Sequence, residues 1–273
     1  MLLNRFTGRR IDDRDASGAR VRLLWDATAN LTFNVIGDFE RQNGGNNAWQ
    51  ARSANNTGPT SVGGRLAACG ITPSPTNTEV CLDGPVNQKV EIGGLSAQAD
   101  WTFSDYVVTG IVGYREYRRN ADTDSDTRPI NALNQNAVTD DVTQQSQELR
   151  IASPADARLS FVAGVFKYDY HYLATNNQSG TLGLLPFVAT RTNTDDVRQK
   201  SRAIFGQASF KLTPQINLIA GARQTWDEVS NTNRSFANPA LGVRFVGFSP
   251  ATDSPVWLGL RFDSVNASAR TSP

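Results

Sequence analysis

The sequence lacks any long hydrophobic run. No segment approaches the roughly 18 consecutive apolar residues that mark a transmembrane helix. The start, Met1–Arg10, has neither the apolar stretch nor the small-residue cleavage site of a secretory signal peptide. We therefore expect no membrane helix in this chain and no signal peptide at its start.

Positively and negatively charged residues are nearly equal in number. Lys and Arg total 27 against 26 Asp and Glu, which gives a formal net charge of +1. Proteins that bind nucleic acid usually show a basic excess or a basic stripe. The composition therefore predicts no nucleic-acid partner.

Residues that build catalytic and metal sites are scarce. His171 is the only histidine, so a zinc site lacks a second histidine and a Ser–His–Asp arrangement has no other candidate. The acidic run Asp122–Asp126 has the spacing of a calcium loop, but Thr127 stands where an EF-hand needs Gly and Leu133 where it needs Glu. No phosphate-binding glycine fingerprint occurs. We predict no catalytic residues, no cofactor, no metal site and no enzymatic activity.

Only two cysteines occur, Cys69 and Cys81. The segment between them, Gly70–Val80, contains Pro and Thr residues and is predicted to be a loop. Two cysteines that close a short polar loop favour a disulfide formed in an oxidising compartment. The alternative, two unrelated free thiols, stays open.

The most informative feature that is present is an alternation of tight and long connections between strand-like runs. Long polar stretches lead up to Lys89 and span Arg118–Thr143 and Tyr172–Gln199, whereas the other connections are tight turns. Bacterial outer-membrane barrels have short periplasmic turns and long outer loops. The predicted strands are Ala19–Asp26, Leu31–Arg41, Ile92–Trp101, Tyr106–Tyr117, Gln144–Ser153, Leu159–His171, Lys200–Lys211 and Ile216–Trp226.

One face of nearly every predicted strand carries no charge. In the first strand Val21, Leu23 and Trp25 share one face, and Arg20 and Arg22 share the other. A Lys or Arg at the middle of a bilayer would cost roughly 2–4 kcal/mol, so a lipid-facing surface explains why charge is missing there. The charged residues of the opposite face are predicted to line a lumen: Arg20, Arg22, Arg115, Arg150, Arg223, Asp38, Glu40, Asp100 and Glu148.

The alternative is a water-soluble antiparallel sheet with one face on a core, which also alternates. Predicted strands of about ten residues favour a membrane-spanning sheet, because strands in soluble proteins usually have about five or six residues. Aromatic residues such as Trp25, Trp101 and Trp226 collect near strand ends, as in interfacial girdles. Leu159–Phe166 is apolar on both faces, so its register stays unassigned. We predict an all-β, antiparallel transmembrane β-barrel segment of about eight to ten strands, forming an open half-barrel.

Several segments resemble the barrel of TonB-dependent receptors, especially the iron-complex and oligosaccharide receptor families of Gram-negative bacteria. The resemblance spans about residues 15–226 and depends on the segments in combination. The matching segments are Ala19–Trp25, Ser146–Pro154, Phe161–Phe166, Ala203–Thr213 and Leu218–Arg223.

This resemblance implies TonB-dependent uptake of a scarce ligand, such as an iron–siderophore complex, across the outer membrane of a Gram-negative bacterium. The implied partners are outer-membrane lipid, the TonB complex through a plug region, and a small-molecule ligand (siderophore, cobalamin or oligosaccharide). The alternative function is that of a small standalone outer-membrane barrel with a structural or adhesive role.

The sequence departs from this family at both ends. Receptors of this kind carry an N-terminal plug domain with a TonB box and end in an aromatic strand, and neither feature is found here. Beyond Phe248 the resemblance fades. We expect residues 1–273 to be a partial barrel domain that lacks the plug and the C-terminal strands, with 249–273 as a divergent tail. On this view the chain alone is inactive.

Overall fold

The computed structural model describes residues 1–45, 48–54, 58–181, 187–213, 215–239, 256–258, 261–263 and 266–267, with side chains described up to Ser235. In chain order the elements are β1 (Leu2–Asn4), β2 (Arg9–Ile11), β3 (Arg14–Thr28), β4 (Leu31–Gly44), α1 (Val62–Ala68), β5 (Glu79–Val80), β6 (Asn87–Phe103), β7 (Tyr106–Thr123), β8 (Gln135–Ala152), β9 (Leu159–Gly180), β10 (Ala189–Lys211), β11 (Asn217–Pro239), β12 (Val256–Leu258), β13 (Arg261–Asp263) and β14 (Asn266–Ala267). No helix in these ranges is both long and apolar enough to span a membrane.

The long strands form one antiparallel sheet in which chain order is largely kept. The order is β14-β13-β11-β10-β9-β8-β7-β6-β4-β3, and β12 also pairs with β11. Within the described ranges the two edges, β3 and β14, do not pair with each other. The sheet is therefore an open wall rather than a closed barrel, and the predicted open half-barrel is confirmed.

The tight connections all lie at one end of the sheet, as predicted. In the β6–β7 hairpin the two residues Ser104 and Asp105 make the turn, with φ of 45° and 68°. Positive φ at both central positions is the pattern of a type I′ turn, whose twist matches that of the flanking strands. The β3–β4 hairpin is as short, with only Ala29 and Asn30 between the strands.

The strands run further from these turns than the sequence predicts. β9 continues to Gly180 instead of ending at His171, and β10 begins at Ala189 instead of Lys200. The added parts are polar on both faces, and their side chains bond across the strands, as Asn176 does to Asn136 at 2.7 Å. Alternation of apolar and polar residues stops where both faces are polar, so the sequence carries no strand signal there.

Two of the predicted long loops are consequently much shorter. The β7–β8 connection comprises residues 124–134 and the β9–β10 connection residues 181–188. The predictions of loops over 118–143 and 172–199 are therefore wrong in their extent. The hairpins project past the apolar part of the sheet as extended ribbons.

Large apolar side chains on one face of the sheet are exposed. Val21 is 71% exposed, Leu95 57% and Leu149 54%. No second layer of secondary structure packs on this face in the described part of the chain. A water-soluble sheet would bury such a face, so the exposure favours a lipid-facing surface over the soluble alternative.

The cross-strand register also settles the ambiguous segment at the start of β9. Phe161 lies opposite Ala208 and Val165 opposite Ile204, so these residues point to the apolar face. The alternate residues of the segment, such as Phe166, point to the polar face. The polar face is therefore not uniformly hydrophilic.

The long connection between β4 and β6 carries structure of its own, where the sequence predicted a loop. β5 pairs in parallel with β1, which pairs with β2, and the Asn4 side chain bonds to the backbone of Leu82 at 2.9 and 3.1 Å. A small apolar core in this connection holds Leu66, Ile71 and Cys81. Cys69 and Cys81 are bonded to each other, with Cα atoms 6.3 Å apart.

Candidate ligand-facing wall

The polar face carries all the charged residues that the sequence predicts for a lumen. The register places Arg20 opposite Asp38 and Arg150 opposite Thr109, with Asp100 opposite Thr109 on the other side. Because alternate residues share a face, the remaining members of the set fall on the same side. The predicted placement of these charges is confirmed, whereas their partners could not be predicted.

An ion pair crosses three strands at the centre of this face. The Arg115 guanidinium on β7 donates two hydrogen bonds to the Asp38 carboxylate on β4, at 2.6 and 2.8 Å. Gly94 on β6 lies between them, and a Cβ at that position would come within 3.1 Å of the Arg115 Nε. A side chain at position 94 would therefore have to displace Arg115 by a few tenths of an ångström, whereas glycine leaves that space free.

A hollow of about 200 Å³ lies beside this pair. Small residues of three strands, among them Gly94, Gly113 and Ser146, line it. Arg115 and Tyr168 line it as well, which adds a cation and a phenol. Such a depression can accept a flat or branched polar group and offer it charged and aromatic contacts.

Three tyrosines of β9 line the polar face next to the hollow. The rings of Tyr168 and Tyr170 stack at a centroid distance of 6.5 Å, and the Tyr168 hydroxyl donates to the Gln144 side chain at 3.1 Å. The Tyr172 hydroxyl donates to the buried Asp140 carboxylate at 2.9 Å. The tyrosines thus form a ladder whose hydroxyl groups at Tyr168 and Tyr172 are held in place.

Asp140 joins this ladder to a second arginine. The Arg119 Nε donates to Asp140 at 2.7 Å, and only 7% of the Asp140 side chain is exposed. Carboxylates that are this buried are usually paired with a cation or hydrogen-bonded. Arg119, Asp140 and Tyr172 therefore form a fixed polar unit on the polar face of the sheet.

Other predicted lumen residues have local partners. Arg223 lies over the rings of Phe166 and Phe205, at 5.6 and 5.8 Å from the ring centres. A guanidinium over an aromatic face is stabilised by about 0.5–1 kcal/mol at exposed sites. Arg150 bonds to Glu148 at 3.4 Å.

The tyrosine ladder and the Arg119–Asp140 pair were missed by the sequence reasoning. The signal was available, because Tyr168, Tyr170 and Tyr172 follow one another at the two-residue period of a strand face. Ending one predicted strand at His171 placed Tyr172 in a loop. Ending another at Tyr117 and starting the next at Gln144 placed Arg119 and Asp140 in a second loop.

Among the described residues, no group of three or more His, Cys, Asp or Glu side chains lies close enough together to hold a metal ion. His171 points to the opposite face and bonds to Asp196 at 2.9 Å. Asp124, from the rejected calcium motif, instead accepts hydrogen bonds from the backbone N–H groups of Gly84 and Thr127. Burial raises the pKa of the Asp124 carboxyl to about 6.

Taken together, these features define a class of protein. An antiparallel sheet has one exposed apolar face and one polar face with ordered charges, tight turns at one end and long hairpins at the other. That is the wall of a transmembrane β-barrel.

The chain belongs to the TonB-dependent receptor family. The family model described as "TonB dependent receptor-like, beta-barrel" matches residues 30–270. The crystal structure of the ferric yersiniabactin uptake receptor FyuA from Yersinia pestis is similar, with a TM-score of 0.65 and 15% sequence identity. The match covers 87% of this chain and 34% of FyuA, so the chain spans about a third of that receptor. At this identity the likeness shows the fold alone. No curated protein matches the chain.

Proposed function

We propose that this chain is part of the barrel wall of an outer-membrane receptor that takes up a scarce small-molecule ligand with energy delivered through TonB. Membership of the TonB-dependent receptor family supports uptake in general. An iron–siderophore complex is the ligand we favour, with cobalamin and oligosaccharides as the other candidates. On this proposal the chain has no catalytic role.

The observation that carries the proposal is the contrast between the two faces of the sheet. The apolar face is suited to outer-membrane lipid, whereas the polar face holds the Arg115–Asp38 pair beside a hollow and a ladder of tyrosines. Arginines that keep their geometry can bind carboxylate-bearing or other anionic ligands through directed hydrogen bonds. Tyrosine rings add apolar contact area at low entropic cost.

The domain assignment is part of the same proposal. Residues 1–273 belong to a barrel domain, and the plug that contacts TonB lies in a separate part of the receptor. The divergence of residues 249–273 stays a prediction. Most of that segment lies outside the described residues.

The test is ligand-dependent growth of a strain whose full-length receptor contains these strands. Ferric yersiniabactin, cyanocobalamin and a maltooligosaccharide would be supplied in turn as the limiting nutrient. We expect Arg115→Ala to lower uptake of the active ligand at limiting concentration by about tenfold, the effect of losing one charge-assisted hydrogen bond.

Lys211→Ala is the matched control, because Lys211 also lies on the polar face but bonds to backbone carbonyls at the tight-turn end. Uptake by this variant should stay at the wild-type level. A receptor that reaches the outer membrane and supports growth on no small molecule would contradict uptake and favour a structural or adhesive barrel.

A further inference from the structure

A shallow groove crosses the apolar face of the sheet over β7 to β11 and has a volume of about 840 Å³. Val112, Leu149, Val165, Ile204 and Trp226 line it, and each is between 41% and 54% exposed. This groove lies on the side opposite the tyrosine ladder, so it belongs to the lipid-facing surface. Its width and apolar walls suit an extended hydrocarbon chain.

Two cations form part of the rim of this groove. Lys167 on β9 and Arg202 on β10 lie directly opposite each other in the register, and both side chains point to the apolar face. Like charges directly opposite on neighbouring strands destabilise a sheet. An anion between them would remove that repulsion.

Arg202 differs from most other arginines on this face. Arg41 pairs with Glu91 at 3.9 Å, and Arg118 pairs with Asp141 at 3.5 Å. Among the described residues, Arg202 has no ion pair and no side-chain hydrogen bond. An exposed guanidinium beside apolar side chains thus has its donors available to a ligand.

The next row of side chains toward the long hairpins contains acids as well as a cation. Asp169 accepts from Lys167 at 3.0 Å, and Lys200 lies opposite both Asp169 and Glu228 in the register. With Lys167 and Arg202, this gives three cations and two carboxylates. The patch keeps a positive balance, and the Arg202 guanidinium, which has no partner among the described residues, lines the groove.

We propose that this groove binds an acyl lipid whose headgroup carries a phosphate monoester. The acyl chain lies along Leu149, Val165 and Ile204, and the phosphate lies between Lys167 and Arg202. A monoester fits better than a diester, because it presents more charge and more acceptor oxygens to two facing cations. The inference rests on the proposed membrane location of this face, but not on which ligand the receptor takes up.

The test uses the full-length receptor that contains these strands, reconstituted in phosphatidylcholine nanodiscs with a small fraction of phosphatidic acid as the probe. Lipids retained after gentle release are counted by native mass spectrometry. We expect wild-type receptor to retain phosphatidic acid in preference to phosphatidylglycerol, a diester. Inorganic phosphate alone should not displace it, since the acyl chain contributes to binding.

The variant Lys167→Gln/Arg202→Gln should retain phosphatidic acid about tenfold less, as expected for losing at least one charge-assisted hydrogen bond. Arg41→Gln/Arg118→Gln is the control, because it removes the same charge from the same face at two positions that do not line the groove. Equal losses in the two variants would mean diffuse attraction and would overturn the site.

A third variant tests the groove without changing charge. Ile204→Trp fills it and keeps both cations, so retention should again fall. Unchanged retention by Ile204→Trp would overturn the acyl-chain assignment. Failure of the wild-type receptor to insert would contradict the membrane location itself, whereas insertion with no lipid preference would contradict the lipid site alone.

Discussion

At the scale of single residues, Gly94 leaves room for two charges to meet on the polar face. Arg115 and Asp38 belong to strands that are not neighbours, and the strand between them carries Gly94 at the crossing point. The sequence places both charges on one face. It does not show that they pair. Pairing across an intervening strand depends on the register of both hairpins and on the presence of glycine, which has no side chain, at position 94.

A charge introduced on one face of β6 should affect membrane insertion differently from a charge introduced on the other face. Ala97 lies between Val35 and Val112 on the apolar face, and its neighbour Gln98 lies on the polar face. Ala97→Arg in the full-length receptor should hinder insertion into lipid vesicles, because an Arg at the bilayer midplane costs roughly 2–4 kcal/mol. Gln98→Arg should insert nearly as well as wild type.

Folding yields in vesicles of one lipid composition, measured for both variants side by side, check this expectation. Equal yields would mean that the assignment of faces is wrong.

From the raised pKa of the Asp124 carboxyl we predict that the stability of the β7–β8 connection depends on pH. Burial raises its pKa from 3.8 to about 6, so the folded state binds a proton more tightly than the unfolded state does. The connection is therefore most stable when Asp124 is protonated. Its stability falls as the pH rises from about 3.8 through about 6 and stays low above that.

Hydrogen exchange at the amides of Gly84 and Thr127, corrected for the intrinsic effect of pH, should show more protection below a pH of about 6 than well above it. Asp124→Asn should remove most of the difference. Protection that increases with pH in the wild-type protein would contradict the sign of this effect.

At the scale of elements, the disulfide concerns α1 and β5 rather than the main sheet. Cys69 caps the C-terminal end of α1, and Cys81 directly follows β5. The bond should appear in a peptide map of the oxidised, non-reduced protein as a link between the two cysteine peptides. Cys81→Ser should loosen residues 62–82 in hydrogen exchange while the long strands keep their protection. Two free thiols in folded, oxidised protein would refute the pairing.

The long strands show which parts of an element a sequence can reveal. Near the tight turns each strand has lipid on one side and a polar space on the other, so apolar and polar residues alternate and the prediction was correct. Further out, both faces of β9 and β10 are polar, and residues such as Asn176 and Thr192 look like loop residues. Hydrogen bonds between backbone groups hold these parts together. The hydropathy pattern describes side chains only, so it does not reveal these bonds.

At the scale of the whole molecule, the fold class could be predicted because a bilayer imposes a strict rule on side-chain polarity. The candidate ligand-facing wall could be predicted only in outline. Arg115 was assigned to the correct face, but the Tyr168–Tyr172 ladder depends on how far β9 extends, and the hollow depends on small residues from three strands that meet in space. Neither is a property of one segment.

The openness of the sheet leads to a last prediction, for a polypeptide of these 273 residues expressed alone. Within the described ranges β3 and β14 remain unpaired edges, and each unpaired backbone group in lipid costs several kcal/mol. Closing this wall on itself would need a different strand tilt and shear. It would also bring Arg22, Arg150 and Arg223 together in a narrow interior with little water.

We therefore expect the isolated polypeptide to show no heat-modifiable folded band on a gel after reconstitution in liposomes, and no uptake of ferric yersiniabactin or cyanocobalamin into them. The full-length receptor, prepared in the same way, is the control and should give the band. A compact band from the isolated polypeptide that shifts on boiling would show that the strands can close by themselves. In that case the standalone barrel would become the better account of this chain, because closure is the only arrangement that leaves no strand edge in the membrane.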